Sequence, residues 1–244
     1  MKAIILAAGY ATRLYPLTKY YPKPLLKIGG KTMMDFITDE INTIPELDKI
    51  FVVTNHKMCK YFDIWHETRS DKAKITVIDD MTADENIRLG AIGDIAYTIK
   101  QGKIDDDLLI IAGDNFFTYP IKEYYDYFKE KGSDCCCVME INDIEMIKSL
   151  GVAELDENNR LIGMEEKPAE PKSNKGVYAT YIYTKETVKL FDEYLKGGNP
   201  PDAPGNFLNW LYKIKNVYAW TMTGNCYDIG TCGEYVKIRK QFSK

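Results

Sequence analysis

The chain has 244 residues, 45% hydrophobic and 28% charged, an ordinary globular balance with room for one large domain or two small ones. Its formal net charge is −4 and its pI near 5.4, which argues against nucleic-acid binding, since that depends on a basic face. No apolar run approaches the ~20 residues of a membrane span, and Lys2 ahead of IILAA is too short a prelude for a signal peptide, so neither a membrane nor export is expected.

In chain order, KAIILAA reads as a buried strand. It runs into LAAGYATRLYPLTKYYPKPLL, residues 6–26. Gly9 lets the backbone approach a ligand, and free amides after a strand form an anion cradle. Arg13 can clamp a phosphate in bidentate fashion, and Lys23 is held stiffly between Pro22 and Pro24. A surface loop with incidental cations is the plain alternative. Gly30-Lys31-Thr32 has the ending of a P-loop, but the motif needs glycine at position 25, which is Leu25. It reads instead as a turn opening a helix over Met33–Ile44, capped by Thr32 and Asp35.

KIFVVTN is a second strand, followed by a helix through Tyr61–His66; KITVID is a third, followed by the loop MTADEN and a helix over Gly90–Lys100. DLLIIAGDN is a fourth strand ending in a turn, and a helix over Lys122–Lys131 follows. DCCCVMEI is a fifth. Its consecutive Cys135, Cys136 and Cys137 cannot all find good disulfide geometry, so they serve as small core hydrophobes. No CxxC pair or Cys/His spacing suggests zinc, and a reducing cytoplasm is expected.

This β-α-β-α rhythm predicts an α/β, Rossmann-like, mostly parallel mixed sheet flanked by helices. Ligands in such sheets bind at the carboxyl ends of strands, where the Gly9–Arg13 loop and Gly113-Asp114-Asn115 fall. From Gly151 the texture changes. GVAELDENNRLIGMEEKP reads as a hairpin, GVYATYIYT as a strand, KETVKLFDEYL as a helix ending at Gly197-Gly198, and PPDAPGNFLNWLYK as a turn and helix. NVYAWTMTG is a strand, and CYDIGT leads to a last helix capped by Thr231 and Glu234. With no linker or repeat, residues 1–244 form one expected domain.

Asp114 and Asp228 each follow an apolar strand, well placed for a hard divalent metal, although strand-end aspartates commonly cap turns. Whether the two meet is not written in the sequence. Glu166 and Lys167 close a strand halted by Pro168. His56 and His66 fall in no motif and read as structural.

Together these pieces resemble the nucleotidyltransferases that activate sugar 1-phosphates, most closely the glucose-1-phosphate thymidylyltransferase-like group. The opening loop, AGDN, the segment LGVAELDENNRLIGMEEKPAEPKSNKGVYATYIY and CYDIGT follow that family's motifs in order over nearly the whole chain. The resemblance implies a single nucleotidyltransferase domain, with a nucleotide-binding half over about 1–140 and an acceptor-binding half over about 141–244. It implies Mg²⁺-dependent transfer from an NTP to a sugar 1-phosphate, giving NDP-sugar and pyrophosphate as a cell-surface polysaccharide precursor. The attacking phosphate is already an anion, so no histidine base is needed; positioning and charge neutralisation must supply the catalysis.

By the same resemblance, Arg13, Lys23, Asp114, Lys167 and Asp228 are the catalytic set. Leu6, Ala7, Ala8, Gly9, Arg13, Lys23, Asn86, Gly90 and Asp114 would contact the nucleotide, and Asn115, Gly151, Glu166, Lys167 and Val177 the acceptor. Asp114 and Asp228 would hold the metal. Ala11 stands where the family has a glycine, and the expectation is a negative φ there with the loop still closing. A homo-oligomer is compatible with this picture. No left-handed β-helix extension is present, so no acyltransferase activity is expected.

Departures leave the base and acceptor open. DENIRLG offers Glu85, Asn86 and Gly90 where the family has a glutamine before a glycine; Leu150 replaces a tyrosine, PDAPGNFLNW the paired sugar-side glutamates, and Tyr178-Ala179 a Thr-Gly. The second reading is a CTP-dependent cytidylyltransferase for phosphocholine, its ammonium held by some of the 18 tyrosines and three tryptophans. Those aromatics otherwise read as core. A third reading is a non-catalytic nucleotide-binding module, against which the intact aspartates, arginine and lysines speak.

Overall fold

The structure, a computed structural model, describes residues 1–242. Strand β1 (Lys2–Leu6) is followed by the long loop and a short hairpin of β2 (Lys27–Ile28) and β3 (Lys31–Thr32). Then come α1 (Met33–Ile41), β4 (Lys49–Thr54), α2 (Cys59–Thr68), β5 (Ile75–Asp79), α3 (Ala91–Gly102), β6 (Leu108–Ala112), β7 (Asn115–Phe117), α4 (Ile121–Lys131) and β8 (Asp134–Glu140). The second half carries α5 (Ile144–Ile147), β9 (Gly151–Leu155), β10 (Leu161–Glu166), β11 (Lys175–Tyr183), α6 (Lys185–Val188), α7 (Leu190–Lys196), α8 (Pro204–Leu211), β12 (Val217–Thr221), β13 (Cys226–Asp228) and α9 (Cys232–Gln241). The helix expected from Lys185 is thus broken in two at Lys189, and α1 stops three residues short of Ile44.

The main sheet runs β10-β9-β11-β6-β1-β4-β5, with β8 beside β11 and β12 beside β8. Its first half is parallel, as βαβ crossovers demand: β1 pairs with both β4 and β6, and β4 with β5. The second half joins through antiparallel β11, which pairs with β6 over Thr180–Tyr183 and with β9 over Lys175–Val177. Where β11 exchanges one neighbour for the other, its register against β8 shifts between Tyr178 and Tyr181. Bulges of this kind re-aim side chains beside functional sites.

Both faces of the sheet are covered. Met34, Ile37, Phe62, Tyr124 and Phe128 pack on one, and Ile92, Ile95, Phe191, Phe207 and Leu208 on the other. Cys135 and Cys137 fall in the first core and Cys136 in the second, the alternation of a strand buried on both sides. Burial pushes all three thiols well up, and all six cysteines are unpaired. A third, smaller core of Leu14, Ile28, Met33, Phe116, Ile229 and Tyr235 fastens α9 against the loop after β1. No described helix is long and apolar enough to cross a membrane.

Candidate active site

The loop leaving β1 is pinned from several sides. Ala7 N donates to Val53 O at 2.8 Å, and Asn55 Nδ2 donates to Ala8 O at 2.9 Å. Ala11 corrects the sequence expectation: its φ is +47° and ψ +42°, left-handed. That turn lets the Ala11 carbonyl accept from Leu14 N at 3.0 Å and from the Thr18 hydroxyl at 2.8 Å, closing a short 3-10 turn over Thr12–Leu14. The backbone bend is therefore kept without glycine, at a cost of about 1–2 kcal/mol.

Arg13 leaves this turn exposed, its guanidinium without a hydrogen bond or ion pair among the described residues. A side chain on Gly230 would begin 3.7 Å from its terminal nitrogens. Lys23 lies in a second short turn, Lys23–Leu25, and is only 5% exposed. Its ammonium reaches Asp114 Oδ2 at 2.8 Å and Asp228 Oδ1 at 3.3 Å. The two aspartates, 45% and 54% exposed, thus meet at one cation.

Two short strands bring them together. β7 and β13 pair antiparallel, with Asn115 opposite Asp228. Gly113, just before Asp114, sits hard against β1: its N donates to Leu6 O at 2.8 Å, and a Cβ there would meet that carbonyl at 2.9 Å. Strands of three residues carry too little periodicity to be read from sequence.

A cleft of about 500 Å³ opens over this centre. Of the residues singled out for a nucleotide, Leu6, Ala7, Ala8, Gly9, Arg13, Lys23, Gly90 and Asp114 line it. Asn86 does not; its amide is turned to Asp84 at 2.7 Å. Glu85, offered with Asn86 by the same segment, does line it, and Tyr10, Asp80, Arg88, Asp94 and Asp202 line it unforeseen. Of these Asp94 carries a legible signal, an acid on the buried face of α3 with Ile92, Ile95 and Thr98.

A second, smaller cavity of about 170 Å³ shares Ala112, Asp114, Ala179 and Pro204 with the cleft. Ala179 stands where β11 changes partners. Asn115, Gly151, Glu166 and Val177 line this cavity with Tyr178, Tyr181 and Gly205. Glu166 makes no hydrogen bond among the described residues, and burial raises its carboxyl above the usual range. Gly151 leaves it space, since a Cβ there would lie 3.1 Å from its carboxylate. Lys167 lines neither cavity. It is exposed at φ +49°, with its N donating to Leu150 O at 3.0 Å.

The histidines stand elsewhere, His56 Nδ1 against Asp79 at 2.6 Å and His66 Nε2 against Lys72 O at 3.0 Å. No tryptophan lines either cavity; Trp65 and Trp220 are buried in the first core.

The donor set fits a hard divalent cation: carboxylate oxygens from two segments already share one ammonium. No group of three or more metal-ligating side chains occurs among the described residues. An ion there would need further oxygen ligands from outside the protein to complete its shell.

Residues 2–244 match the family described as Nucleotidyl transferase. Over 240 residues the chain is 26% identical to the bifunctional protein GlmU of Methanocaldococcus jannaschii, covering 98% of this chain and 54% of that protein. It is 27% identical over 244 residues to the glucose-1-phosphate adenylyltransferase of Clostridium novyi, covering 95% and 64%. The chain therefore spans between half and two thirds of the length of these relatives. A solved structure of UDP-glucose pyrophosphorylase with UDP-glucose superimposes with a TM-score of 0.82 at 20% identity, covering 99% of this chain and 97% of that one. At that identity the likeness is one of fold.

Proposed function

This chain belongs to the nucleotidyl transferase family, and from that premise we propose that it transfers a nucleotidyl group from an NTP to a sugar 1-phosphate, releasing pyrophosphate and an NDP-sugar. The observation that carries the proposal is the meeting of two cavities at one wall. The larger cleft and the smaller pocket share Asp114, and Lys23 stands there between Asp114 and Asp228.

The bond formed joins a phosphate oxygen of the acceptor to the α-phosphorus; the bond broken joins that phosphorus to the bridging oxygen of the β-phosphate. No proton need move, because nucleophile and leaving group are both anions. Repulsion between them is the barrier, and fixed positive charge lowers it. In this reading the unpaired Arg13 guanidinium holds the β- and γ-phosphates, and Lys23 neutralises the α-phosphate. Backbone amides after β1 position the chain of phosphates. Mg²⁺, when bound at Asp114 and Asp228, adds charge neutralisation at the reacting phosphate. Lys167, one residue beyond Glu166, is the candidate for the acceptor phosphate, its exposed side chain making no hydrogen bond or ion pair among the described residues. Residues up to about 140 supply most of the nucleotide side, and the later residues most of the acceptor side. The six free thiols support a reducing, cytoplasmic setting.

One observation favours a second acceptor. The small pocket carries Glu166, Tyr178 and Tyr181 and no cation, which also suits a quaternary ammonium. Phosphocholine with CTP therefore belongs in the test. Pyrophosphate release is measured over four NTPs against a panel of sugar 1-phosphates and phosphocholine, with Mg²⁺ and with EDTA. Metal-dependent release with a sugar 1-phosphate is expected. Release with phosphocholine alone replaces the sugar reading, and none with any pair overturns both.

A further inference from the structure

The two ends of the cleft differ in character. Arg13 and Lys23 stand at one, while Asp80, Glu85 and Asp94 line the other beside Gly90. If the cleft binds an NTP, as read above, its triphosphate takes the end where the unpaired Arg13 stands with Lys23 and Asp114, and its base lies at the end of Asp80 and Asp94. Asp94, in the first turns of α3, is 6% exposed, and its Oδ1 is buried without a hydrogen-bond partner. Asp80, 4% exposed, is already engaged by Thr82, whose N donates at 2.6 Å and whose hydroxyl donates at 2.8 Å.

The two carboxyls lie within hydrogen-bonding reach of each other, and burial, then the charge of Asp80, pushes the Asp94 carboxyl up to about 8. Two ionised carboxyls side by side in a dry site are unfavourable, so the pair shares one proton. Asp94 then donates to Asp80 through one oxygen and keeps the other as an acceptor. The neighbouring side-chain donors already have protein partners. The Tyr10 hydroxyl donates to Thr82 O at 3.3 Å, and Arg88 is engaged by Glu85 at 3.5 Å and Asp202 at 3.2 Å.

We propose that Asp94, held by Asp80, selects the nucleobase by accepting a hydrogen bond from an exocyclic amino group, favouring adenine, cytosine or guanine over uracil and thymine. The inference rests on the cleft being an NTP site. An amino group meets the unfilled oxygen; a uracil or thymine carbonyl sets lone pairs against it. A site built around an unmet hydrogen-bonding group rejects ligands that leave it unmet.

The test is calorimetric titration of the purified protein with ATP, CTP, GTP, UTP and dTTP in the presence of Mg²⁺. The expected result is that at least one amino-bearing nucleotide binds about tenfold or more tighter than UTP and dTTP. Asp94→Ala should bring the five affinities together, while Asp94→Asn should keep the ranking, because its amide donates to Asp80 and its carbonyl still faces the base. UTP or dTTP binding as tightly as the others overturns the inference while leaving the NTP reading intact. So does an unchanged ranking in Asp94→Ala, or its loss in Asp94→Asn. Should the alanine variant not fold, the wild-type and asparagine rankings still decide. Binding of none of the five by the wild type overturns the NTP reading itself.

Discussion

Among the lysines that hold aspartates, Lys215 and Lys23 do so in opposite ways. Around Asp134 the carboxylate is the buried partner, fully inaccessible, and every oxygen is met: Thr184 N at 2.8 Å, the Thr184 hydroxyl at 3.1 Å, the Thr187 hydroxyl at 2.6 Å and Lys215 Nζ at 3.2 Å. Lys215 itself reaches outward, 31% exposed. At Lys23 the ammonium is buried, and its two aspartates stand half open. A satisfied buried acid fastens β8 to the start of α6. A buried cation shared by two open acids leaves carboxylate oxygens for something that is not protein. The difference lies in which partner keeps access to solvent, and it separates a fastening from a site.

The comparison breaks first at the fastening. Asp134→Ala leaves the Thr184 amide without its partner and Lys215 with only the Thr184 and Thr187 hydroxyls, and should cost about 3–5 kcal/mol in urea unfolding, while the folded fraction keeps its activity. A loss under about 1 kcal/mol would remove Asp134 from its structural role. At the site the expectation is reversed. Asp114→Ala or Lys167→Ala should lower turnover about 10²–10³-fold, near 3 kcal/mol in the transition state, with a circular dichroism melt like that of the wild type. Near-wild-type turnover from either variant would overturn its role.

A gentler effect separates Asp94 from both. Its folded pKa of about 8 exceeds its ordinary 3.8, so its favourable contribution is complete below about pH 4 and fades as pH rises towards 8. The wild type should therefore lose stability relative to Asp94→Asn across that window, by at most about 1.4 kcal/mol per pH unit, and the gap should level off above it. Parallel melting curves across the window would deny the burial its consequence. Smallest is Ala11→Gly, which relieves a left-handed alanine against the entropy of a freer chain and should stabilise by about 0.5–1 kcal/mol without changing activity.

Much of this was legible beforehand for physical reasons. Strands such as KAIILAA and DLLIIA bury both faces, and their unbroken apolar runs announce a parallel sheet. The Thr32–Asp35 and Thr231–Glu234 capping boxes formed where the spacing placed them. Arg13, Lys23 and Asp114 were marked by turn chemistry around them. The meeting of Asp114 with Asp228 was not legible, because it depends on pairing two three-residue strands far apart in sequence. The left-handed Ala11 is not legible, because intrinsic preference points away from that backbone and the Thr18 and Leu14 hydrogen bonds outweigh it. Asn86 lies off the cleft wall because its N and its side-chain amide both donate to the capping Asp84, while Glu85 beside it lines the cleft.

The pairing of Asn115 with Asp228 also sets an order of assembly. A chain leaving the ribosome presents the phosphate loop and Asp114 well before Asp228. Until Asp228 emerges, Lys23 has one acidic partner and the cleft lacks Gly230 from its wall. The site is thus complete only once both segments have been made, and a fragment that ends between Asp114 and Asp228 holds only one of its two carboxylates.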